Sequence, residues 1–191
     1  SYLPHFISWI IVASLLNNLL SPSTGVINAF IQQLGGDPIY FLADKNWFRP
    51  ILVISNIWKE IGWSSVVYLA ALSGIDPSLY EAAIVDGATR VQRITRITLP
   101  SIMPIAVTML ILSMGSIMSA GFDQVFNLYS PQVYDVGDIL DTYVYRRGLV
   151  DMSYSFSTAV GLFKSVVGLI LVVAVNVIAK RLSPDHEAGL W

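Results

Sequence analysis

Trp58, Lys59, Glu60, Trp63 and Tyr68 fall in one otherwise apolar stretch, and the run GFDQVFNLY places Phe122, Asp123, Gln124, Phe126 and Asn127 within six residues. Planar rings beside carboxylates and amides suit a sugar: a ring stacks on the apolar face of a pyranose while its polar neighbours hydrogen-bond the hydroxyls. Each of these residues also has a plainer reading. Trp and Tyr collect where a membrane meets water. Lys59 and Glu60, about 12 to 14 Å along their stretch at 1.5 Å per residue, can equally pair with neighbouring helices or snorkel towards headgroups. Asn56, Ser113, Ser116, Ser119 and Asn176 are small polar groups of the kind that join helices in lipid. Lys164 suits an interface or a pair within a bundle.

The remaining reactive inventory is thin. There is no cysteine, which removes disulfides, Cys-containing zinc sites and thiol catalysis together. His5 and His186 lie at opposite ends, and the acids within apolar stretches reduce to Glu60, so a membrane-embedded enzyme lacks its cluster. No G-x-x-x-x-G-K-[ST] run occurs, so the chain carries no phosphate loop of that kind. A net charge of -2 leaves no basic footprint for nucleic acid. The expectation is a chain that is not an enzyme, with no catalytic or metal site, no cofactor of its own and no nucleic-acid partner.

The elements that position such residues must live in lipid. Of 191 residues, 54% are hydrophobic and 13% charged, with a mean hydropathy of +0.64; a soluble domain averages about 25% charged residues. A helix crosses a hydrocarbon core of about 30 Å with about 20 apolar residues. Four stretches qualify or nearly do: 3–20, which is short, 51–72, 102–120, which has no charge, and 156–179. The expected fold is an all-α, polytopic transmembrane helical bundle. Three polar segments separate the spans: 21–50, with the amphipathic GVINAFIQQLGG ended by Gly35 and Gly36, then 73–101, then 121–155 with aromatics and five aspartates. Ser1 in place of an initiator Met, followed within six residues by an apolar run with no charged lead or small-residue cleavage site, makes the expectation a C-terminal part of a longer chain. Loop lysines and arginines mark the cytoplasmic side. Arg90, Arg93, Arg96, Lys180 and Arg181 share one face, against Lys45, Arg49, Arg146 and Arg147 on the other, which places segment 73–101 in the cytoplasm.

That segment has its own local logic. Asp76 can cap a helix with Pro77 in its first position, and Gly87 can end it with a positive φ. Ala82 and Ala83 leave the backbone open to close approach. Beyond Gly87 the chain restarts helically, with Arg90, Arg93 and Arg96 on one side and Val91, Ile94 and Ile97 on a neighbouring one, an amphipathic piece fit for a membrane surface or a partner. Pro100 and Pro104 are expected to turn the chain into the next span. An ordered but otherwise ordinary intracellular loop satisfies the same observations.

The spacing is more specific than the physics. Glu81-Ala82-Ala83, three residues, Gly87, nine residues, Ile97, one residue, then Leu99-Pro100 resembles the EAA loop of binding-protein-dependent ABC importer permeases of type I. LPHFISW, WKEIGWSSVVYLAAL, LYEAAIVDGATR, GFDQVFNLYSP and DTYVYRRGL are similar to the LplB-like branch of the carbohydrate-uptake permeases, and the resemblance covers essentially all of the chain. It implies a MetI-like fold with about four spans present of a usual six, residues 1–191 forming an N-terminally incomplete permease domain and residues 76–100 the cytoplasmic coupling loop. It further implies separate ATPase subunits that carry ATP and Mg, a second and commonly different permease subunit, an extracytoplasmic binding protein, surrounding lipid and a bacterial plasma-membrane location. In that family the loop docks into the ATPase, so Glu81 would offer a carboxylate to a basic group, Ala82 and Ala83 close approach, and Gly87 the bend. The segment with Asp135, Asp138, Asp141, Arg146 and Arg147 would face the binding protein, or be a solvated loop. The cargo would be a sugar or oligosaccharide; another solute such as an amino acid or phosphonate, or a non-transporting membrane anchor, is the alternative.

Overall fold

The computed structural model describes residues 1–119 and 121–182. Ala120, the tail at 183–191 with His186, and the side chains of Arg181 and Leu182 lie outside the described residues. The described residues hold ten α-helices, short 3-10 and π turns, and no strands. They are α1 Trp9–Leu19, α2 Val26–Gln33, α3 Lys45–Ser73, α4 Pro77–Val85, α5 Arg90–Arg93, α6 Leu99–Ser116, α7 Phe122–Leu128, α8 Tyr134–Gly137, α9 Leu140–Tyr145 and α10 Tyr154–Leu182. The chain divides into two compact units, Ser1–Gly62 with Ser119–Leu162, and Trp63–Met118 with Phe163–Trp191.

Two helical stretches among the described residues are long and apolar enough to cross a membrane, Arg90–Ser116 and Tyr154–Lys180, each of 27 residues. The last expected span is thus realised as α10, and Leu162, Leu169 and Ile170 each leave over half of their surface uncovered, as lipid-facing side chains do. The helix α3 has 29 residues, about 43 Å at 1.5 Å per residue, so its length suffices. Lys45, Arg49, Lys59 and Glu60 keep it from being uniformly apolar. The first stretch is broken into a 3-10 turn, Leu3–Phe6, and the 11-residue α1, which reaches only about 16 Å. The turn expected at Pro100 and Pro104 is absent. A π segment, Ile94–Thr98, lets the Leu99 N–H reach back to the Ile94 carbonyl, and the widened turn makes room for the ring of Pro100, which lacks an N–H and would crowd the carbonyl four residues back. The rod therefore runs unbroken from Arg90 to Ser116.

In the first unit, Ala13, Phe48, Leu128 and Val133 form the buried core, with Leu16, Leu42, Leu52, Tyr129 and Val136 packed on it. The segment 20–39 is tied by one side chain. Asn28, buried, donates to the carbonyls of Leu20, Ser21 and Ile39 and accepts the Ile39 N–H at 2.7 Å. Gln124, also buried, donates to the Leu52 carbonyl at 2.7 Å and to Ser55 Oγ at 2.9 Å, fastening α7 to α3. Arg146 pairs with Asp138, which also accepts from Thr142, while its guanidinium lies 4.5 Å over the Tyr134 ring. Lys45 meets Asp135 at 2.6 Å. In the second unit α6 and α10 approach through small residues: a Cβ at Gly168 would sit 3.5 Å from the Gly115 carbonyl oxygen, the close backbone contact that small residues permit in lipid.

Burial works against ionisation of Asp138, but hydrogen bonds from Arg146 and Thr142 outweigh it and hold the carboxyl below the usual carboxylate range. The stabilisation is therefore complete above the unfolded pKa of about 3.9 and is lost as pH falls through the lower folded value. The thermal midpoint of the protein should fall more steeply below about pH 4 than that of an Asp138→Asn variant. Gly137 lies against Phe48, where an added Cβ would overlap the ring. Gly137→Ala should cost about 1–3 kcal/mol of stability, read as a lowered unfolding midpoint.

Candidate functional site

The helix α4 is closed at both ends by groups near in sequence. The Asp76 carboxylate accepts the Ser78 N–H at 2.9 Å, and this bond holds its pKa below the usual range. At the far end Ala88 N–H reaches the Ala83 carbonyl at 2.8 Å and Gly87 N–H the Ile84 carbonyl at 3.0 Å, the paired closure that requires a left-handed residue. Gly87 supplies it with φ +76°. Thr89 and Gln92 then start α5 with a reciprocal pair of side-chain caps, Thr89 N–H to Gln92 Oε1 at 2.8 Å and Gln92 N–H to Thr89 Oγ1 at 3.4 Å.

No residue of α4 is buried. Glu81 and Ala82 are exposed and Ala83 half-buried, and beside them Val85 is 87% and Ile84 55% exposed. Ile97 is half-buried in the π segment, and Leu99 and Pro100 are exposed at the start of α6. Ile84 and Val85 thus leave apolar surface uncovered on a capped helix. One contact that sequence reasoning missed ties this helix to the rod: Tyr80 Oη lies 2.8 Å from Thr98 Oγ1, inside the π segment. Its signal is faint, a tyrosine and a threonine eighteen residues apart.

The charged pair at Lys59 and Glu60 is committed elsewhere. Lys59 is 5% exposed, donates to the His5 carbonyl at 2.6 Å, lies 5.5 Å over the Trp9 ring and is 3.6 Å from Glu60. Glu60 meets His5 Nδ1 at 2.7 Å. This favours the reading of these two as a brace, here between α3 and the segment before α1, with His5 and Trp9 as partners that the sequence did not suggest. Trp58 and Trp63 are each nearly half exposed.

On α7, Phe122 and Phe126 stack at 5.1 Å with an interplanar angle of 19°, and Tyr145 packs at 5.6 Å from the first and 4.9 Å from the second. Asp123 is exposed, and the Asn127 amide donates back to the Asp123 carbonyl at 2.7 Å. The four residues Phe122, Asp123, Phe126 and Asn127 thus share one short helix, and its aromatic side continues onto α9.

Residues 1–184 match the family described as binding-protein-dependent transport system inner membrane component, and the chain belongs to that family. It is similar to protein LplB of Bacillus subtilis (strain 168), 49% identical over 184 residues that cover 96% of this chain and 58% of LplB. It is also similar to the polygalacturonan/rhamnogalacturonan transport system permease protein YteP of the same organism, 47% identical over 190 residues that cover 100% of this chain and 58% of YteP. A chain of a bacterial alginate ABC transporter, crystallised with its alginate pentasaccharide-bound periplasmic protein, superposes with a TM-score of 0.90 at 50% identity over 96% of this chain and 64% of that one. The chain therefore spans less than two thirds of the length of these relatives. Its fold is the all-α, MetI-like permease fold.

Tyr80→Phe deletes the bond to Thr98, worth about 0.5–1.5 kcal/mol, without altering the exposed face of α4. Amide hydrogen exchange should rise across residues 77–98 and not across α10; equal protection in both proteins would show that the bond does not hold α4 to the rod.

Proposed function

We propose that the chain is part of the transmembrane permease subunit of an ATP-driven ABC importer in a bacterial plasma membrane, forming the path for a sugar or oligosaccharide delivered by an extracytoplasmic binding protein. The observation that carries it is α4: an exposed helix with Glu81, Ala82 and Ala83 on it, closed by Gly87, and hydrogen-bonded to the start of a 27-residue apolar rod. Such a helix, in the cytoplasmic loop 76–100, is a handle. An ATPase subunit receives Ala82 and Ala83 at close range and pairs with Glu81, while Ile97, Leu99 and Pro100 set the junction with the rod. ATP and Mg²⁺ reside on that partner. Closure of two ATPase subunits displaces α4, and the Tyr80 to Thr98 bond passes the displacement to α6. A second permease subunit completes the path.

The carbohydrate assignment is supported by the company the chain keeps, a polygalacturonan/rhamnogalacturonan permease and an alginate transporter, and by the aromatic and amide side chains of α7. Phe122, Asp123, Phe126 and Asn127, with Trp58 and Trp63, are the candidates to contact the cargo. Lys59 and Glu60 act on the path indirectly, by fixing the segment that contains His5.

Glu81→Lys reverses the charge on the handle without touching a buried group. The ATPase should co-purify with the complete variant permease at least tenfold less well, and uptake of labelled oligosaccharide should fall in step. Undiminished association and uptake would remove α4 as the docking element.

A further inference from the structure

We propose that Arg90, Arg93 and Arg96 form a binding site for the phosphate of an anionic phospholipid in the cytoplasmic leaflet, and that the bound lipid holds the loop end of the rod at a fixed depth. The inference rests on the reading above of the chain as part of a membrane permease with segment 76–100 in the cytoplasm. These arginines take no part in the proposed ATPase contact, which falls to Glu81, Ala82 and Ala83 on α4.

Length sets the level at which they lie. The rod Arg90–Ser116 has 27 residues, about 40 Å at 1.5 Å per residue, against a hydrocarbon core of about 30 Å. From Ile97 to Ser116 no residue is charged, and that stretch alone spans about 30 Å. With it seated in the hydrocarbon, Arg96 stands at the edge, Arg93 about 6 Å out and Arg90 about 10 Å out. A headgroup layer is about 5–8 Å deep on each side, so Arg93 and Arg96 lie within it and Arg90 at its outer margin. Spaced three apart, they share one side of the rod.

Their bonding leaves them available. None of the three side chains makes a hydrogen bond or an ion pair among the described residues. Arg93 is half-buried, and its Nε is closed off without a hydrogen-bond partner. The arginines elsewhere are engaged: Arg49 donates to the Val136 carbonyl at 2.8 Å, Arg146 pairs with Asp138 and Arg147 with Asp151. A guanidinium presents a planar fork of donors that matches phosphate oxygens, and the anionic lipids of a cytoplasmic leaflet draw basic side chains to the surface.

The surroundings favour lipid over the ATPase. Beside the arginines Val91 is 69% and Ile94 43% exposed, so one turn presents cationic and apolar surface together, as a headgroup boundary requires. The ATPase group that would pair with Glu81 is basic, and a basic surface is repelled by three guanidinium groups nearby.

The test uses the complete permease with its ATPase in nanodiscs of phosphatidylglycerol and phosphatidylcholine in equal amounts, with p-benzoylphenylalanine placed at Val91 and the photoadducts identified by mass spectrometry. Phosphatidylglycerol adducts should outnumber phosphatidylcholine adducts at least fivefold. Arg90→Gln, Arg93→Gln and Arg96→Gln combined should bring the ratio near one, whereas Arg90→Lys, Arg93→Lys and Arg96→Lys combined should keep at least half of the enrichment; unfolding midpoints in detergent check that both variants are folded. A ratio that the glutamine variant leaves unchanged overturns the inference. So does enrichment abolished by millimolar inorganic phosphate, which would give the site to a soluble anion, or adducts on the ATPase in place of lipid. A complex that imports carbohydrate without lipid enrichment overturns the lipid site alone. Enrichment in a complex that imports nothing with ATP present overturns the functional reading and leaves the site standing.

Discussion

In hydrocarbon a peptide N–H has no water to bond, and each one left unpaired costs several kcal/mol. The architecture follows from that constraint. All regular structure among the described residues is helical, and the helix ends around the loop are closed by specific groups: the Asp76 carboxylate and the Gly87 turn around α4, the Thr89 and Gln92 pair ahead of α5. Pro100 threatens the same accounting in the middle of a rod, and the π segment before it answers by lengthening one turn of bonds. Asn28 does for an irregular segment what a helix does for itself, joining three carbonyls and one N–H with a single amide.

A loop satisfied in this way is stiff, and stiffness is what the proposed coupling requires. A handle that frays on contact dissipates the displacement it receives. Here both ends of α4 are capped and its middle is bonded to the rod through Tyr80. Its apolar side chains remain uncovered. On the proposed reading, coupling and cargo recognition would use separate residues: the first Glu81 to Pro100, the second the aromatic and amide side chains of α7 with Trp58 and Trp63.

What was legible in the sequence was local. Asp76, Pro77 and Gly87 act on their immediate neighbours, so the bounds of α4 followed from residue type alone, and α10 from its unbroken apolar run. Contacts between distant residues were not legible. His5 meets Glu60 across fifty-five positions, and nothing in the type of either residue names the other. Arg146 and Asp138 are eight apart, one just before α9 and the other just after it, so no single helix names the pair. The turn expected at Pro100 failed for a different reason, since a proline breaks a helix only when the preceding turn cannot widen. Tyr145 escaped notice because its aromatic partners, Phe122 and Phe126, lie on another helix.

These 191 residues contain no cysteine, so in a complete permease freed of any other cysteine a single one can report the central claim, that α4 is the surface an ATPase grips. With Ala82→Cys in the complete permease, a short thiol cross-linker should join it to the ATPase subunit, with a yield that changes when ATP binds. Failure to cross-link from Ala82 and from Ala83, together with capture of the ATPase by a cysteine placed at Asp151, would put the ATPase on another segment of the chain and contradict the account.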